Sequence, residues 1–220
     1  MPPLTRSVAV PGRRLLVALV VVFAAAVVPA VLVPTLMCRR ADPVLDDLGP
    51  VGSFALTDER GQPFTEDALR GHVTLVSFLF TRCDTICPVT TMKMARLQDK
   101  TFDAGAHIKL ASFSVDPEYD TPARLAEYAK HYQADPARWR FVTGGVEQMR
   151  ALVEGPLMNS MQKKGVTASG APDITHQGYF LLVDGTGHLR GIYDSNDIHK
   201  LDEMVRDARF LVRTSPASRQ

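Results

Sequence analysis

Val73-Thr-Leu-Val-Ser-Phe-Leu-Phe80 runs without a charge into Thr81-Arg82-Cys83-Asp84-Thr85-Ile86-Cys87-Pro88. An apolar run of this kind suits a central strand covered on both faces, and Pro88 suits the first position of a helix, where a missing N–H has no partner to lose. Two cysteines therefore sit where a buried strand hands over to a helix. Backbone N–H groups and the helix dipole favour negative charge there, so a thiolate is expected to be stabilised and its pKa to fall. Residues four apart on a helical turn have Cα atoms roughly 6 Å apart, within the window of about 4.4 to 6.8 Å for a disulfide. The pair can oxidise. A metal with bonds to sulfur of about 2.3 Å, the zinc value, would hold two thiolates about 4 Å apart, which modest rotation reaches. The bland alternative is a structural disulfide, but so short a loop constrains the unfolded chain little.

Outward from this junction the pattern is α/β. Phe54-Ala-Leu-Thr57 and Gln62-Pro-Phe64 bracket a turn at Asp58 to Gly61 and read as a β-hairpin, with a helical turn at Glu66 to Leu69. From Pro88 to Phe102 a helical period places Val89, Met92, Ala95, Leu97 and Phe102 on one face. His107 to Val115 alternates as a strand, Thr121 caps and Pro122 opens a helix, Trp139 to Val142 is a short strand, and Val146 to Val153 a helix. Gly155 to Thr175 shows no regular period, which in a compact domain marks a functional or mobile stretch. Gly178 to Val183, a turn at Asp184 to Gly187 and His188 to Tyr193 form a second hairpin. A last helix, capped by Ser195 or Asn196, buries Ile198, Leu201, Met204, Val205 and Leu211. A β-α-β unit followed by a hairpin and a terminal helix, with cysteines at the first strand-to-helix junction, is thioredoxin-like, here with an N-terminal β-hairpin extension.

The amino-terminal part is of another kind. Residues 1–14 are polar and basic, and 15–37 form a 23-residue run without a charge. That exceeds the roughly 20 residues needed to cross the hydrocarbon core. It reads as an uncleaved transmembrane anchor and not as a signal peptide, whose apolar region is shorter. Arg6, Arg13 and Arg14 outnumber Arg39 and Arg40, so the positive-inside bias leaves Met1 in the cytoplasm and the rest of the chain on the periplasmic or extracytoplasmic side of the cytoplasmic membrane. Residues 38–50 read as a linker, 51–213 as the folded domain and 214–220 as a frayed tail. Net charge is +1, with no basic tract, so nucleic acid is not an expected partner.

A thiol pair alone leaves redox work and metal binding open. In the thioredoxin arrangement the loop entering the terminal hairpin packs against the cysteine turn, and here that loop carries Asp173-Ile-Thr-His176. Two thiolates and an imidazole are a soft set suited to Cu(I), or to Cu(II) with a further ligand, whereas zinc wants a fourth donor. His72, His107, His131, His188 and His199 read as surface residues, and Asp116, Asp120 and Asp184 as turn and cap residues. Met92, Met94, Met158 and Met161 read as packing, and Cys38 as an inert thiol.

Phe78 to Pro88, Ser114-Val-Asp-Pro-Glu-Tyr-Asp-Thr-Pro122 and Thr175-His-Gln-Gly-Tyr-Phe-Leu-Leu-Val-Asp-Gly-Thr-Gly187 together resemble the Sco/SenC family of copper chaperones. The resemblance implies that Cys83, Cys87 and His176 bind copper. It also implies help in assembling the copper A centre of cytochrome c oxidase, by delivering metal to the copper A-bearing subunit or another copper-accepting protein, or by reducing its cysteines as a thiol-disulfide oxidoreductase fed by a thiol reductant. Two departures stand out: Thr175 replaces the acidic residue usual before the histidine, and Asp84-Thr85-Ile86 replaces Pro-Asp-Val between the cysteines.

Overall fold

The computed structural model describes residues 20–25, 27–28, 42–84, 86–166, 172–175 and 178–214; of 163 and 172–175 the backbone alone is described. Two units separate, 1–42 and 43–220. In the first, residues 20–25 and 27–28 are helical. Among the described residues no helix is long and apolar enough to cross a membrane. Most of the 15–37 run, like Cys38 and the tail from 215, lies outside them.

The second unit contains β1 (Ala55–Asp58), β2 (Pro63–Thr65), a 3-10 turn at Glu66–Leu69, β3 (Val73–Leu79), α1 (Ile86–Lys100), β4 (Ile108–Ser114), α2 (Pro122–His131), β5 (Trp139–Thr143), α3 (Val146–Glu154), β6 (Gln162–Val166), β7 (Pro172–Thr175), β8 (Tyr179–Val183), β9 (Leu189–Asp194) and α4 (Ile198–Thr214). Seven strands form one sheet in the order β2-β1-β5-β4-β3-β8-β9, with β3, β4 and β5 parallel and the outer pairs antiparallel. This is a mixed, thioredoxin-like α/β fold. β3 is buried at every position, and its side chains alternate between two cores. Val73, Leu75 and Leu79 join Met94, Leu97, Leu125, Trp139, Phe180 and Met204 beneath α1, α2 and α4. Val76 and Phe78 join Leu56, Phe64, Leu69, Met149 and Leu152 on the hairpin side. β6 and β7 pair antiparallel, with a register shift between Lys163 and Gly165, inside the stretch that lacked a sequence period.

Several local readings are corrected. Pro88 is the third residue of α1, not its first. Any of the first-turn N–H groups lacks an intrahelical acceptor, so proline costs little at each of these positions. The buried face of α1 is Cys87, Thr90, Thr91, Met94 and Leu97. Val89, Met92 and Phe102 are exposed by 43, 49 and 74%. The buried Cys87 sets the phase. Two polar residues can follow it inward because Thr90 donates to the Ile86 and Cys87 carbonyls and Thr91 bonds the Tyr128 hydroxyl. Thr121 does cap α2, accepting from the Arg124 N–H. At α4 the cap is Asp197, which accepts from the His199 N–H at 2.8 Å, and Ile198 is exposed.

Residues 45–51 are not a free tether. Leu48 N–H donates to Leu189 O, Val51 N–H to Gly187 O and Leu189 N–H to Gly49 O, so the entering chain satisfies the open edge of β9.

His72 is also corrected: it is 7% exposed. Burial, and then the charge of Lys109, lower its pKa from 6.5 to about 4, against the opposing carbonyls of Ala68 and Arg70. Asp58 and Asp67 line the same cavity. A depressed histidine pKa means the unfolded chain takes up the proton first. The stability it carries is thus complete above about pH 6.5 and lost as pH falls toward about 4. Urea unfolding at pH 7, 5.5 and 4.5 should show a loss that His72→Gln flattens; an equal loss in the variant would assign the acid sensitivity elsewhere.

Candidate functional site

The carboxyl ends of β3 and β4 carry the cysteine turn, the end of an open parallel sheet where ligands usually bind. After β3 the chain turns at once, Cys83 N–H donating to Phe80 O at 3.2 Å. α1 then begins at Ile86, and the Cys87 N–H points at Cys83 Sγ, 3.5 Å away. The sulfur therefore lies over a first-turn amide, as anticipated for an anionic thiolate. Cys83 and Cys87 are not joined in a disulfide, and Cys83 is partly exposed and Cys87 fully buried. The expectation of a lowered pKa fails at Cys87. Its thiol is pushed up, first by its hydrogen bond with Cys83 and then by burial, with Asp120 adding in the same direction.

His176 lies outside the described residues. Its neighbours do bear on where the chain runs. Gly178, two residues on, accepts the Ser195 N–H at 2.8 Å. A Cβ on Gly178 would sit 3.7 Å from Ile86 Cδ1 and 3.3 Å from Ser195 Oγ. The chain thus passes against Ile86, the last of the three residues between the cysteines. Among the described residues no group of three histidine, cysteine or carboxylate side chains could hold a metal. Two thiols with an incomplete donor set fit a soft monovalent ion that accepts low coordination, and fit zinc poorly. Of the methionines, Met94 and Met161 are packed in the cores, and Met92 and Met158 are half exposed.

A second loop clamps the turn from the side. Asp120, completely buried, accepts from Thr81 N–H at 3.2 Å, Thr81 Oγ1 at 2.5 Å and Ser114 Oγ at 2.6 Å. Asp116, equally buried, takes Arg82 Nε and Nη2 at 2.6 Å each. The Arg82 guanidinium also lies over the Tyr119 ring, 4.4 Å from its centroid, with Arg124 at 3.9 Å. The two residues immediately before Cys83 are therefore fixed by carboxylates from the next strand's end.

A family model for SCO1/SenC matches residues 47–213. The chain belongs to the SCO1/SenC family. It is 30% identical over 168 residues to the SCO1 protein homolog of Bacillus subtilis, covering 76% of this chain and 84% of that protein. Among solved Sco structures, BsSco, described with a disulfide switch and as a member of a family of cytochrome c oxidase assembly proteins, superposes with a TM-score of 0.65 at 30% identity, covering 79% of this chain and 96% of that one. Arabidopsis thaliana ScoI with copper bound gives 0.63 at 28% identity, covering 72% and 97%.

In this Sco protein, Asp116 and Asp120 escaped notice as site residues because each also satisfies a turn or cap pattern. The available signal was two carboxylates four apart soon after a strand buried at all but one position, which turn chemistry alone does not require. Asp120→Ala strips the acceptor from two hydroxyls and one amide, so a loss of about 2 to 4 kcal/mol in denaturant unfolding is expected. Asp120→Asn, which keeps one acceptor oxygen, should lose about half as much. A loss under about 1 kcal/mol in the alanine variant would mean the clamp does not hold the turn.

Proposed function

We propose that this chain is a copper-binding Sco protein that takes one copper ion through the Cys83 and Cys87 thiolates and the His176 imidazole and helps assemble the copper A centre of cytochrome c oxidase. The observation that carries the reading is the pair of thiols, not joined in a disulfide, at the carboxyl end of β3, with Gly178, two residues past His176, against Ile86 between them. The copper-bound Arabidopsis relative and the assembly role stated for BsSco support the same reading. Copper is cargo here. Its binding replaces two S–H protons by two metal–sulfur bonds, and the partial exposure of Cys83 leaves one side open for a client thiolate to enter as one of these ligands leaves. Residues 15–37 serve as a single-pass anchor in the cytoplasmic membrane, with the domain on the periplasmic or extracytoplasmic side. Copper titration of the reduced chain tests this, with one equivalent of Cu(I) held against a competing chelator as the expected result. No retained copper would overturn it.

A second reading, thiol-disulfide exchange on the client's cysteines, is favoured by the unequal burial of the two sulfurs and by the disulfide switch described for BsSco. Cys83 would attack a client disulfide, releasing one client thiolate and forming a mixed disulfide. Cys87 would then displace the second, leaving the client dithiol and a Cys83–Cys87 disulfide. A thiol reductant must return that bond to two thiols before the next turn.

A further inference from the structure

At the opposite end of the parallel strands lies a cavity of about 280 Å³ lined by, among others, His72, Thr74, Lys109 and Arg140. Register explains the convergence. Thr74 is opposite Lys109, and Ala111, two residues on from Lys109, is opposite Arg140, so the three side chains stand on the same, hairpin-side face of the sheet as Val76, Ala111 and Val142. His72 precedes Thr74 by two and shares that face. Two polar atoms there are buried without a partner: His72 Nε2 and Thr74 Oγ1, in residues 7 and 1% exposed. The carboxylates of the cavity are already engaged. Asp58 accepts from the Arg60 and Gln62 amides and faces Arg140 Nε at 3.7 Å, and Asp67 pairs with Arg70 at 3.4 Å. Glu59 pairs with Arg140 at 3.5 Å. No carboxylate among the described residues pairs with Lys109.

We propose that this cavity is a binding site for one small tetrahedral oxyanion, phosphate or sulfate, held by Lys109 Nζ, the Thr74 hydroxyl and the Arg140 guanidinium, with the neutral His72 ring forming part of its wall. Water could satisfy the hydroxyl and the imidazole, but it would leave the half-buried ammonium beside Arg140 without a counter-charge. The pKa of Lys109 is lowered, first by burial and then by Arg140, which is the strain that an anion relieves. The volume suits the task, since it is several times the roughly 30 Å³ share of one water. Such a site is independent of the thiols, at the other pole of β3 and β4.

The test uses the full chain, reduced and copper-free, at pH 7 with ionic strength matched by sodium chloride. Sodium sulfate and sodium phosphate are expected to bind with one-site stoichiometry by calorimetry and, at ten times Kd, to raise the melting temperature by roughly 3 to 5 °C over chloride. Lys109→Met, which keeps the apolar stem, should weaken sulfate at least about tenfold, a loss in the range of a charged hydrogen bond. Thr74→Val should melt no lower than the parent in chloride, because it removes an unpaired hydroxyl, and should also bind sulfate more weakly; this variant decides the matter if Lys109→Met fails to fold. One-equivalent copper retention should be unchanged in both. Equal shifts with chloride and sulfate would mean screening only, and an acetate response as large as that of sulfate would mean a carboxylate site. Undiminished sulfate binding in the variants would place the anion elsewhere. Each of these three results overturns the proposal.

Discussion

Cys83→Ser is expected to lower the affinity for Cu(I) by about 100-fold or more, close to 2.7 kcal/mol at the usual 1.4 kcal/mol per decade. A serine hydroxyl is hard and stays protonated near neutral pH, so it replaces neither the charge nor the polarizability of a thiolate. Cys87→Ser should lose as much, but it also buries a hydroxyl where a fully enclosed sulfur stood. Some of its effect will then be on folding. The partly exposed Cys83 carries no such complication and is the cleaner variant. His176→Ala should lose less, since two thiolates still bind Cu(I) linearly, on the order of 10-fold or more. The measurement is competition against a chromophoric Cu(I) chelator, with circular dichroism confirming the fold. Retention within a few-fold of the parent in Cys83→Ser would remove the metal from this site and leave the redox reading alone.

How far this site could be read in advance depends on how local each part is. Cys83 and Cys87 are contiguous with a strand whose burial is written in eight uncharged residues, so their place at a strand-to-helix junction follows from the chain itself. Both hairpins around the parallel strands, and the Thr121-Pro122 start of α2, were legible for the same reason. The phase of α1 was not. Its inward face includes Thr90 and Thr91, whose hydroxyls are satisfied by a preceding turn and by Tyr128, and an apolar period cannot register buried threonines. The carboxylate clamp was hidden by distance, since Thr81 and Arg82 meet Asp120 and Asp116 across 39 and 34 positions. His72 misled in the same way. A histidine just ahead of a strand looks like an edge residue until the 3-10 turn at Glu66–Leu69 folds over it.

The second large effect expected is an asymmetry in trapping. With Cys87 replaced by serine, Cys83 should form a stable mixed disulfide with a small aromatic disulfide or with the client's oxidised cysteines. With Cys83 replaced, Cys87 should react at least about 100-fold more slowly. The reason is access: a disulfide can be attacked only by a sulfur that can lie in line with it, and Cys87 has no exposed surface while Cys83 has some. The same geometry orders the native exchange, because the buried sulfur is hydrogen-bonded to its neighbour and meets the mixed disulfide only after Cys83 has formed it. Rates of thiol release from each single variant, measured at one pH with the folded chain and again in denaturant, separate burial from intrinsic reactivity. The difference should vanish on unfolding. Equal rates in the folded state would mean that the first turn of α1 opens readily, and then neither sulfur could be assigned the first step.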